Sequence, residues 1–383
     1  MSSAGIDVLL PHTQMNGGYL ADYYYNNLAT WPYYMSESQV PYIAFVGLPG
    51  DERSEPFLLG HTGGNAMDMG FYDPWITDRY LFGPAEPRSV RVEPAKSRRP
   101  VSASAEVAVA LALHDRGLAS GTIGIERRYL GVSVFERLVE LLPKATFVDG
   151  LPVLDELRRI KSPEEIRRME VACDAARHAH LQVQAALRPG MTGLDIARIV
   201  KTSIAQVGCD TDFVEVHANR EGALLFCPND FQIREGEAAA VDIGAKYLNY
   251  TSDMAHNHCV GKPDAATARL HAATVAAFRE IEAACRPGAL CSELFEIGRK
   301  SLADAGYPLT YNLMGHGLGR HVHERPVLGP DDSSALEPGV VFALEIPIYR
   351  DGACWVQVEE NFVVTDDGCR WLSPWTLDML EAG

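Results

Sequence analysis

Acidic residues lie within largely apolar runs of sequence that have the length of strands. The four acids and their runs are Asp242 in Ala238–Ile243, Asp253 in Tyr250–Ala255, Glu345 in Val340–Pro347 and Glu359 in Val356–Val364. An isolated carboxylate in apolar surroundings is very costly, so each of these acids needs a partner. A short turn between two neighbouring strands can bring Asp242 and Asp253 to one face. The chain must therefore fold so that buried acids meet suitable partners.

A glycine-rich segment with histidines lies between these strands. It covers residues 312–326 and reads NLMGHGLGRHVHERP, with His316 and His323 among its histidines. Its glycines permit close backbone approach and unusual dihedral angles. Carboxylate oxygens with a single imidazole suit divalent ions such as Mn, Fe, Co or Zn. Four acids carry enough negative charge for two ions, so the sequence predicts a dinuclear metal site.

Composition limits the class of protein. A chain of 383 residues is long for one core, and two domains are expected. The net charge of −17 argues against nucleic-acid binding, because phosphate backbones select basic surfaces. No apolar run has the length that spans a bilayer, and no signal-peptide pattern is present. The eight cysteines lack CxxC spacing and are expected to be reduced. We therefore expect a soluble cytoplasmic protein without nucleic-acid or membrane partners.

Residues 1–155 alternate between strand-like and helical patterns, which predicts an α/β domain. The predicted strands are Val40–Val46, Pro56–Leu59 and Thr122–Ile125, and the predicted helices are Ala103–Arg116 and Gly131–Leu142. A second domain is predicted over residues 156–383, and a strong helix start marks its beginning. There Ser162 can cap the helix, Pro163 fits the first helical position, and Glu165 completes a capping box.

The second domain contains a faint internal repeat. Residues 186–196 resemble residues 284–294, and each segment ends one helix at a Pro-Gly pair and begins another. Two related helix pairs, each followed by strand-rich sequence, predict a pseudo-two-fold α+β domain.

The motifs AVDIG, SD, GHGLGRHVHERP, ALEIP and VEEN occur in the order seen in peptidase family M24. The chain resembles this superfamily of creatinase, prolidase, Xaa-Pro aminopeptidase and methionine aminopeptidase over roughly residues 120–375. The start of the chain, with IDVLL and NGGYLADYY, is more weakly similar to the leading domain of creatinase-type members. The resemblance implies a creatinase-type α/β N-terminal domain over residues 1–155. It implies an α+β "pita-bread" catalytic domain over residues 156–383.

The resemblance also implies the roles of individual residues. The implied metal ligands are Asp242, Asp253, His316, Glu345 and Glu359. Asp253 and Glu359 would bridge two divalent ions. Asp242 would bind one ion, and His316 and Glu345 would bind the other. Glu345 would also take the proton of the attacking water, and His323 would hydrogen-bond the substrate or its oxyanion. Such an arrangement serves amide hydrolysis.

Two positions depart from the family pattern. A histidine that peptidase members use on the substrate is replaced by Leu225, which predicts weak or absent ordinary peptidase activity. His217, expected near the mouth of the site, is the best candidate to replace it and to bind substrate. After Asp253, an arginine that pairs with the site is replaced by His256, which is often neutral near pH 7.

Three functions are compatible with these residues. The leading hypothesis is a metal-dependent hydrolase of a small C–N bond, in a Xaa-Pro-like dipeptide or in another amide. The second is a lyase of the dimethylsulfoniopropionate-cleaving type, although Ala240 lies where that branch adds an aspartate. The third is a non-catalytic binding protein, although such members usually lose metal ligands.

An aromatic cluster near the N-terminus bears on assembly. The cluster consists of Tyr19, Tyr23, Tyr24, Tyr25, Trp31, Tyr33 and Tyr34. Its aromatic rings either pack within the domain or form a wall over the site of a neighbouring subunit, because leading domains of related enzymes help to close a partner's pocket. A homodimer is therefore expected.

Overall fold

The computed structural model describes residues 1–22, 43–51, 54–61, 75–83, 100–218, 228, 230–309, 311–348 and 355–382. The chain forms two compact units, Met1–Leu157 and Arg158–Gly383. Leu225 lies outside the described residues, as does the aromatic cluster apart from Tyr19, so the roles predicted for them stay predictions. Within the described ranges, no helix combines the length and apolar character needed to cross a membrane.

The N-terminal unit is a mixed sheet with helices packed against it. Its strands are β1 (Val8–Leu10), β2 (Ile43–Pro49), β3 (Phe57–His61), β4 (Asp78–Phe82), β5 (Thr122–Ile125) and β6 (Thr146–Asp149). Its helices, the last of which reaches the boundary of the unit, are α1 (Gln14–Ala21), α2 (Ala105–Asp115), α3 (Val132–Leu141) and α4 (Leu151–Arg159). Within the described residues the strand order is β4-β3-β2-β1-β5-β6, with β1 antiparallel to β2 and parallel to β5. The predicted α/β class is confirmed.

The C-terminal unit is built on one large sheet. Its helices are α5 (Pro163–Ala186), α6 (Gly193–Gln206), α7 (Ala265–Ala284) and α8 (Cys291–Asp304). Its strands are β7 (Asp210–Ala218), β8 (Ala238–Tyr247), β9 (Tyr250–Thr251), β10 (Met254–Val260), β11 (Gly315–Gly317), β12 (Glu324–Val327), β13 (Val341–Ile348), β14 (Val356–Val364), β15 (Cys369–Trp371) and β16 (Leu380–Ala382). The main path is β12-β11-β13-β14-β10-β8-β7, and its neighbouring strands are antiparallel.

Helix α5 begins with the predicted capping box. The backbone N–H of Glu165 donates to Ser162 Oγ at 3.3 Å, and the Ser162 N–H donates to Glu165 Oε2 at 2.8 Å. Pro163 occupies the first turn, where the missing N–H costs nothing. The buried face of α5 then packs Met169 and Cys173 into the core beneath the sheet.

The internal repeat corresponds to two helix pairs, α5–α6 and α7–α8. Gly190 and Gly288, at matching positions in the repeat, both have positive φ, at 88° and 86°. The matching Thr192 and Leu290 each form an isolated bridge with a later segment. One pair shares a core with β7 and β8, and the other shares a core with β13 and β14. The predicted pseudo-two-fold α+β fold is confirmed.

The strand predicted over Tyr250–Ala255 is interrupted in the structure. β9 ends at Thr251, and β10 begins at Met254, which leaves Asp253 between them. The Asp253 N–H donates to Asn361 Oδ1 at 2.9 Å, and Asn361 Nδ2 donates to the Asp253 carbonyl. A side chain of β14 therefore satisfies the Asp253 backbone, which a neighbouring strand would otherwise do.

Strand alternation gives the sheet a helix-packed face and a face that lines a cavity. On β8, Val241 and Ile243 enter the core, whereas Asp242 between them lines the cavity. On β14, Val358 enters the core, whereas Glu359 lines the cavity. Successive side chains point to opposite faces of a strand, so each apolar run can carry one acid to the cavity.

Candidate metal centre

The five predicted ligands lie around one cavity of about 390 Å³ in the C-terminal unit. They are Asp242 on β8, Asp253 just before β10, His316 on β11, Glu345 on β13 and Glu359 on β14. All five are buried, and none exceeds 8% exposure. The sheet therefore brings together residues that are far apart in the sequence.

Strand register explains how the carboxylates converge. Glu345 on β13 lies directly opposite Glu359 on β14. Ala255 on β10 pairs with Glu359 on one side and with Asp242 on the other. Because paired residues share a face, the alanine methyl group leaves space between the two carboxylates.

Glycines on both sides of His316 allow its strand to pack closely. A Cβ at Gly317 would lie 2.2 Å from the Arg325 carbonyl oxygen. A Cβ at Gly315 would lie 2.3 Å from the Ala343 carbonyl oxygen, and its φ of +146° also favours glycine. These contacts require glycine at both positions and fix the backbone that carries His316.

The imidazole of His316 is directed toward the carboxylates. Its Nε2 lies 3.4 Å from Asp253 Oδ2 and 3.5 Å from Glu345 Oε1. Its Nδ1 lies 3.1 Å from the Gly317 carbonyl oxygen. A proton on Nδ1 satisfies that carbonyl and leaves the Nε2 lone pair for a cation, which is the usual arrangement of a metal-bound histidine.

Three overlapping groups of potential ligand atoms occur among the described residues, each with all its atoms within 4.8 Å of one another. They are Asp242, Asp253 and Glu359; His316, Glu345 and Glu359; and Asp253, His316 and His323. Glu359 is common to the first two groups, and Asp253 joins the first to the third. The three groups of potential ligand atoms therefore overlap through these two carboxylates.

Several buried polar atoms in the site have no hydrogen-bond partner within the described part of the chain. They are Asp242 Oδ1, Asp253 Oδ1, Glu359 Oε1 and His316 Nε2. Leaving a buried polar atom unsatisfied costs roughly 1–3 kcal/mol, and more for a charged group. Because these atoms converge on one cavity, the residues present fit divalent ions with oxygen and nitrogen ligands.

The electrostatics of the site also favour a cation. Burial, followed by repulsion between the acids, raises the pKa values of Asp242, Asp253 and Glu359 well above their ordinary range. Burial, followed by repulsion from Glu215, raises the pKa of Glu345 to about 7. Burial, the largest cause, lowers the pKa of His316 to about 3. The acids are therefore costly to ionise unless positive charge enters.

Gln357 on β14 holds two of the carboxylates in place. Its Nε2 donates to Asp242 Oδ2 at 2.8 Å and to Glu359 Oε2 at 3.1 Å. Its Oε1 accepts from Trp355 Nε1 at 3.1 Å, and its backbone N–H donates to Asn257 Oδ1 at 3.1 Å. Gln357 thus fixes the orientation of acids from two strands, which is what outer hydrogen bonds do around metal ligands.

His323 lines the same cavity but is more exposed than His316. The two rings lie 4.0 Å apart between centroids in an edge-on arrangement. Burial, the largest cause, lowers the pKa of His323. The side chain of the next residue, Glu324, is buried and pairs with Lys161 at 3.2 Å, which anchors the segment that carries His323.

His217, which lies on β7, also lines the cavity. Its ring stacks on Trp355 with centroids 4.9 Å apart, and its Nε2 lies 3.3 Å from Glu215 Oε2. Tyr311 meets the same indole edge-on at 6.0 Å. The cavity therefore combines an aromatic wall with the acids.

The sequence analysis did not identify Glu215, Gln357 or Trp355. A signal was available for the first two, because Glu215 precedes His217 by two positions and Gln357 precedes Glu359 by two positions on the same strands. Residues at that spacing share a strand face. The role of Trp355 had no such signal, because it depends on contacts between separate segments.

His256 lies outside the cavity, in a buried group with other histidines. Its Nε2 lies 2.8 Å from Glu360 Oε1, and its ring contacts Trp375 at 4.4 Å between centroids. His180 Nδ1 lies 3.0 Å from His258 Nε2 in the same group. Burial lowers the pKa of His256 to about 3 and raises that of Glu360. His256 therefore does not supply a cation to the metal site.

Comparisons with known proteins identify the family of the chain. Residues 167–366 match the profile of metallopeptidase family M24, and residues 76–160 match that of the creatinase/prolidase N-terminal domain. A probable dipeptidase, PepE, of Mycobacterium tuberculosis is 32% identical over 261 residues, which are 66% of this chain and 70% of that protein. The Xaa-Pro dipeptidase of Pyrococcus furiosus is 27% identical over 68% of this chain and 75% of its own length.

The fold of nearly the whole chain is similar to that of a solved structure. The Xaa-Pro dipeptidase from Bacillus anthracis has a TM-score of 0.82 at 19% identity, and the match covers 99% of this chain and 96% of that chain. This similarity establishes an N-terminal domain followed by a pita-bread domain. The family profile covers more than half of the chain and the PepE relative exceeds 30% identity, so the chain belongs to metallopeptidase family M24 and is a metal-dependent hydrolase.

Proposed function

We propose that the protein is a dinuclear metal-dependent hydrolase of a small C–N bond, in a dipeptide or a related amide. The observation that carries the proposal is the convergence of unsatisfied buried atoms on Asp242, Asp253, His316 and Glu359. Similarity to dipeptidases supports a dipeptide as the substrate. The four acids favour two divalent ions of the Mn, Fe, Co or Zn type.

The proposed ligand roles are those that the family resemblance implies, and the three groups of potential ligand atoms are compatible with them. Asp253 and Glu359 would be shared by the two ions. Asp242 would hold one ion, and His316 and Glu345 would hold the other. When bound, the ions lower the pKa of a water molecule and polarise the scissile carbonyl group.

Glu345 and His323 carry out the proton transfer and oxyanion steps. Glu345 accepts the proton of the attacking water and can return it to the leaving nitrogen. Its raised pKa of about 7 shows how strongly the metal-free cavity favours its protonated form, a preference that the ions oppose. His323 donates from a ring nitrogen to the oxyanion that develops at the former carbonyl.

Ordinary Xaa-Pro peptidase activity is weak in this proposal, because Leu225 replaces the family histidine. His217 compensates in part by contacting substrate from the cavity wall, where it stacks on Trp355. The lyase alternative has less support, because Ala240 supplies no additional carboxylate next to Asp242. Membership of a hydrolase family also argues against the non-catalytic alternative.

The proposal assigns residues 1–155 to a creatinase-type N-terminal domain and residues 156–383 to the catalytic domain. A homodimer is part of the proposal and rests on the family resemblance. Sedimentation of the purified protein measures this property directly, and a monomer at all concentrations would argue against it.

Metal analysis with a substrate panel tests the main proposal. We expect close to two divalent ions per chain, and we expect Asp253→Ala to lose both because that carboxylate is the proposed bridge. Full metal retention in Asp253→Ala would contradict the ligand assignment. The panel contains Xaa-Pro and other dipeptides, creatine-like amides and dimethylsulfoniopropionate.

Leu225→His is expected to raise Xaa-Pro turnover. High Xaa-Pro turnover by the unaltered protein (on the order of 1–10³ s⁻¹) would show that Leu225 does not weaken peptidase activity.

A further inference from the structure

Glu215 places a fifth carboxylate in the catalytic cavity. On β7, Phe213, Glu215 and His217 line the cavity, whereas Val214 and Val216 pack into the core. Glu215 lies directly opposite Asp242 in the β7–β8 register. Its side chain is 29% exposed, in contrast to the buried ligand acids, so a molecule in the cavity can reach it.

Glu215 is not part of the proposed metal centre. Among the described residues, none of the three groups of potential ligand atoms includes it. Its charge nevertheless acts on the centre, because after burial it is a further cause of the raised pKa values of Asp242, Asp253 and Glu345. The carboxylate is therefore close to the reacting region without being a ligand.

The charge count leaves Glu215 uncompensated. Two divalent ions balance the four carboxylates of Asp242, Asp253, Glu345 and Glu359, and the negative charge of Glu215 remains. The His217 ring nitrogen 3.3 Å from Glu215 Oε2 can orient the carboxylate through a hydrogen bond. A carboxylate in a partly dehydrated cavity strongly favours a cationic partner.

We propose that Glu215 is a specificity-determining residue that binds a cationic nitrogen of the substrate inside the catalytic cavity. The inference rests on the proposed function, because it takes this cavity as the substrate site. The nitrogen belongs either to the α-ammonium group or to a basic side chain. Trp355, Phe213 and Tyr311 supply apolar surface for the carbon atoms that carry it.

Four amino acid probes separate the two sources of positive charge. Lysine carries both cationic groups, and norleucine keeps only the α-ammonium. N-acetyl-lysine, acetylated on its α-nitrogen, keeps only the side-chain ammonium, and N-acetyl-norleucine has neither. All four have the same carboxylate and nearly the same carbon chain. Their binding to the Mn²⁺-loaded protein is measured by calorimetry, so the readout does not depend on turnover.

The variant Glu215→Gln keeps the size of the side chain and removes its charge. We expect at least one cationic probe to bind the unaltered protein about tenfold or more tightly than N-acetyl-norleucine does, and to lose that preference in Glu215→Gln. Loss for norleucine assigns the α-ammonium, and loss for N-acetyl-lysine assigns the side chain. Asp210→Asn is the matched control, because it removes an exposed acid from the same strand outside the cavity.

Three results would overturn the inference. Equal binding of all four probes by the unaltered protein would show that no cation is selected. An equal loss for all four probes in Glu215→Gln would indicate a general disturbance of the cavity. A fall in the Mn²⁺ content of Glu215→Gln would make Glu215 a metal ligand. Hydrolysis of the dipeptide panel is measured separately. If the protein prefers cationic probes but hydrolyses no dipeptide, the result contradicts the proposed function and leaves the role of Glu215 in cation binding standing.

Discussion

Glu345 and His323 share a cavity but differ in burial, and this difference separates their proposed roles. Glu345 is buried beside His316, with Glu359 opposite it on the next strand. Glu345→Gln preserves the shape and one oxygen ligand but removes the base. We expect a rate loss of about 100-fold or more, the usual contribution of a positioned acid–base group. Metal analysis should find at most partial metal loss.

His316→Ala provides the comparison for Glu345→Gln. His316 is proposed to supply a single nitrogen ligand, and alanine has no replacement atom, so His316→Ala should lose metal. If Glu345→Gln lost metal as completely as His316→Ala while the metal-loaded fraction kept full activity, Glu345 would be a ligand without a role in proton transfer.

His323 should influence turnover without holding metal. His323→Ala removes the proposed oxyanion donor, and we expect a loss of about 2.7–4 kcal/mol in transition-state stabilisation at most. Metal content should remain intact, although the His323 ring lies within ligand distance of Asp253 and His316. Parallel measurements of kcat and bound metal test this division. Metal loss as complete as in His316→Ala would make both histidines ligands.

The sequence predicted the acids of the centre better than the residues that orient them. Asp242 and Glu345 could be recognised because each is an acid in an apolar strand, and burial makes such residues costly without partners. The spacing of Gln357 and Glu215 from Glu359 and His217 indicates a shared strand face, but their contacts depend on which strands become neighbours. That register places Glu215 opposite Asp242, and local periodicity does not specify it.

At the scale of elements, helix α5 carries a prediction about stability. Ser162→Ala removes the hydroxyl that accepts from the Glu165 N–H, so the start of the helix loses its side-chain cap. We expect a loss of about 1 kcal/mol in the free energy of unfolding, within the usual range for such caps. Denaturant unfolding measures this loss, and metal content should not change.

Ser292→Ala in α8 is the matched control for Ser162→Ala. Ser292 lies in the first turn of its helix, whose cap residue Leu290 makes no side-chain hydrogen bond. The control should therefore change stability by only a few tenths of a kcal/mol. Equal losses in the two variants would show that the capping box contributes nothing beyond a general serine effect.

Elements with strong local signals were predicted closely. The strand Thr122–Ile125 has the predicted bounds, and the helix predicted over Gly131–Leu142 is observed as Val132–Leu141. The strand predicted over Tyr250–Ala255 was wrong in its continuity, because Asn361 binds the Asp253 backbone. That contact joins residues 108 positions apart, so no local pattern could indicate it.

At the scale of the whole molecule, two sets of buried groups have opposite pH dependence. Burial lowers the pKa values of His180, His256 and His258 from the ordinary histidine value of 6.5. At pH values below 6.5 the unfolded chain therefore binds protons that the folded chain does not, and these three groups destabilise the folded state. Above pH 6.5 they are neutral in both states and contribute no slope. The buried carboxyl groups then determine the trend.

In the metal-free protein, Asp242, Asp253 and Glu359 have raised pKa values, and that of Glu345 is raised to about 7. The folded state therefore holds protons that the unfolded state has lost above its carboxyl pKa of about 4. Because the pKa of Glu345 is about 7, and those of the other three acids are raised as well, we expect stability to fall as pH rises above 6.5. Each carboxyl that stays protonated contributes a slope of about 1.4 kcal/mol per pH unit.

Divalent ions should remove this pH trend, because they replace the protons that the carboxyl groups otherwise need. We expect the denaturant midpoint of EDTA-treated protein to decrease as pH is raised from 6.5 to about 8. This range lies below the ordinary thiol pKa of 9.0, so the buried cysteines add little to the slope. The midpoint of Mn²⁺-loaded protein should be higher and less dependent on pH. Glu360 is not a proposed ligand, and its pKa is also raised. It therefore contributes to the pH dependence of stability in the EDTA-treated and the Mn²⁺-loaded protein alike, and this contribution is smaller than that of the four acids of the centre. A metal-free protein as stable at pH 8 as at pH 6.5 would mean that the acids of the centre are ionised without a cation.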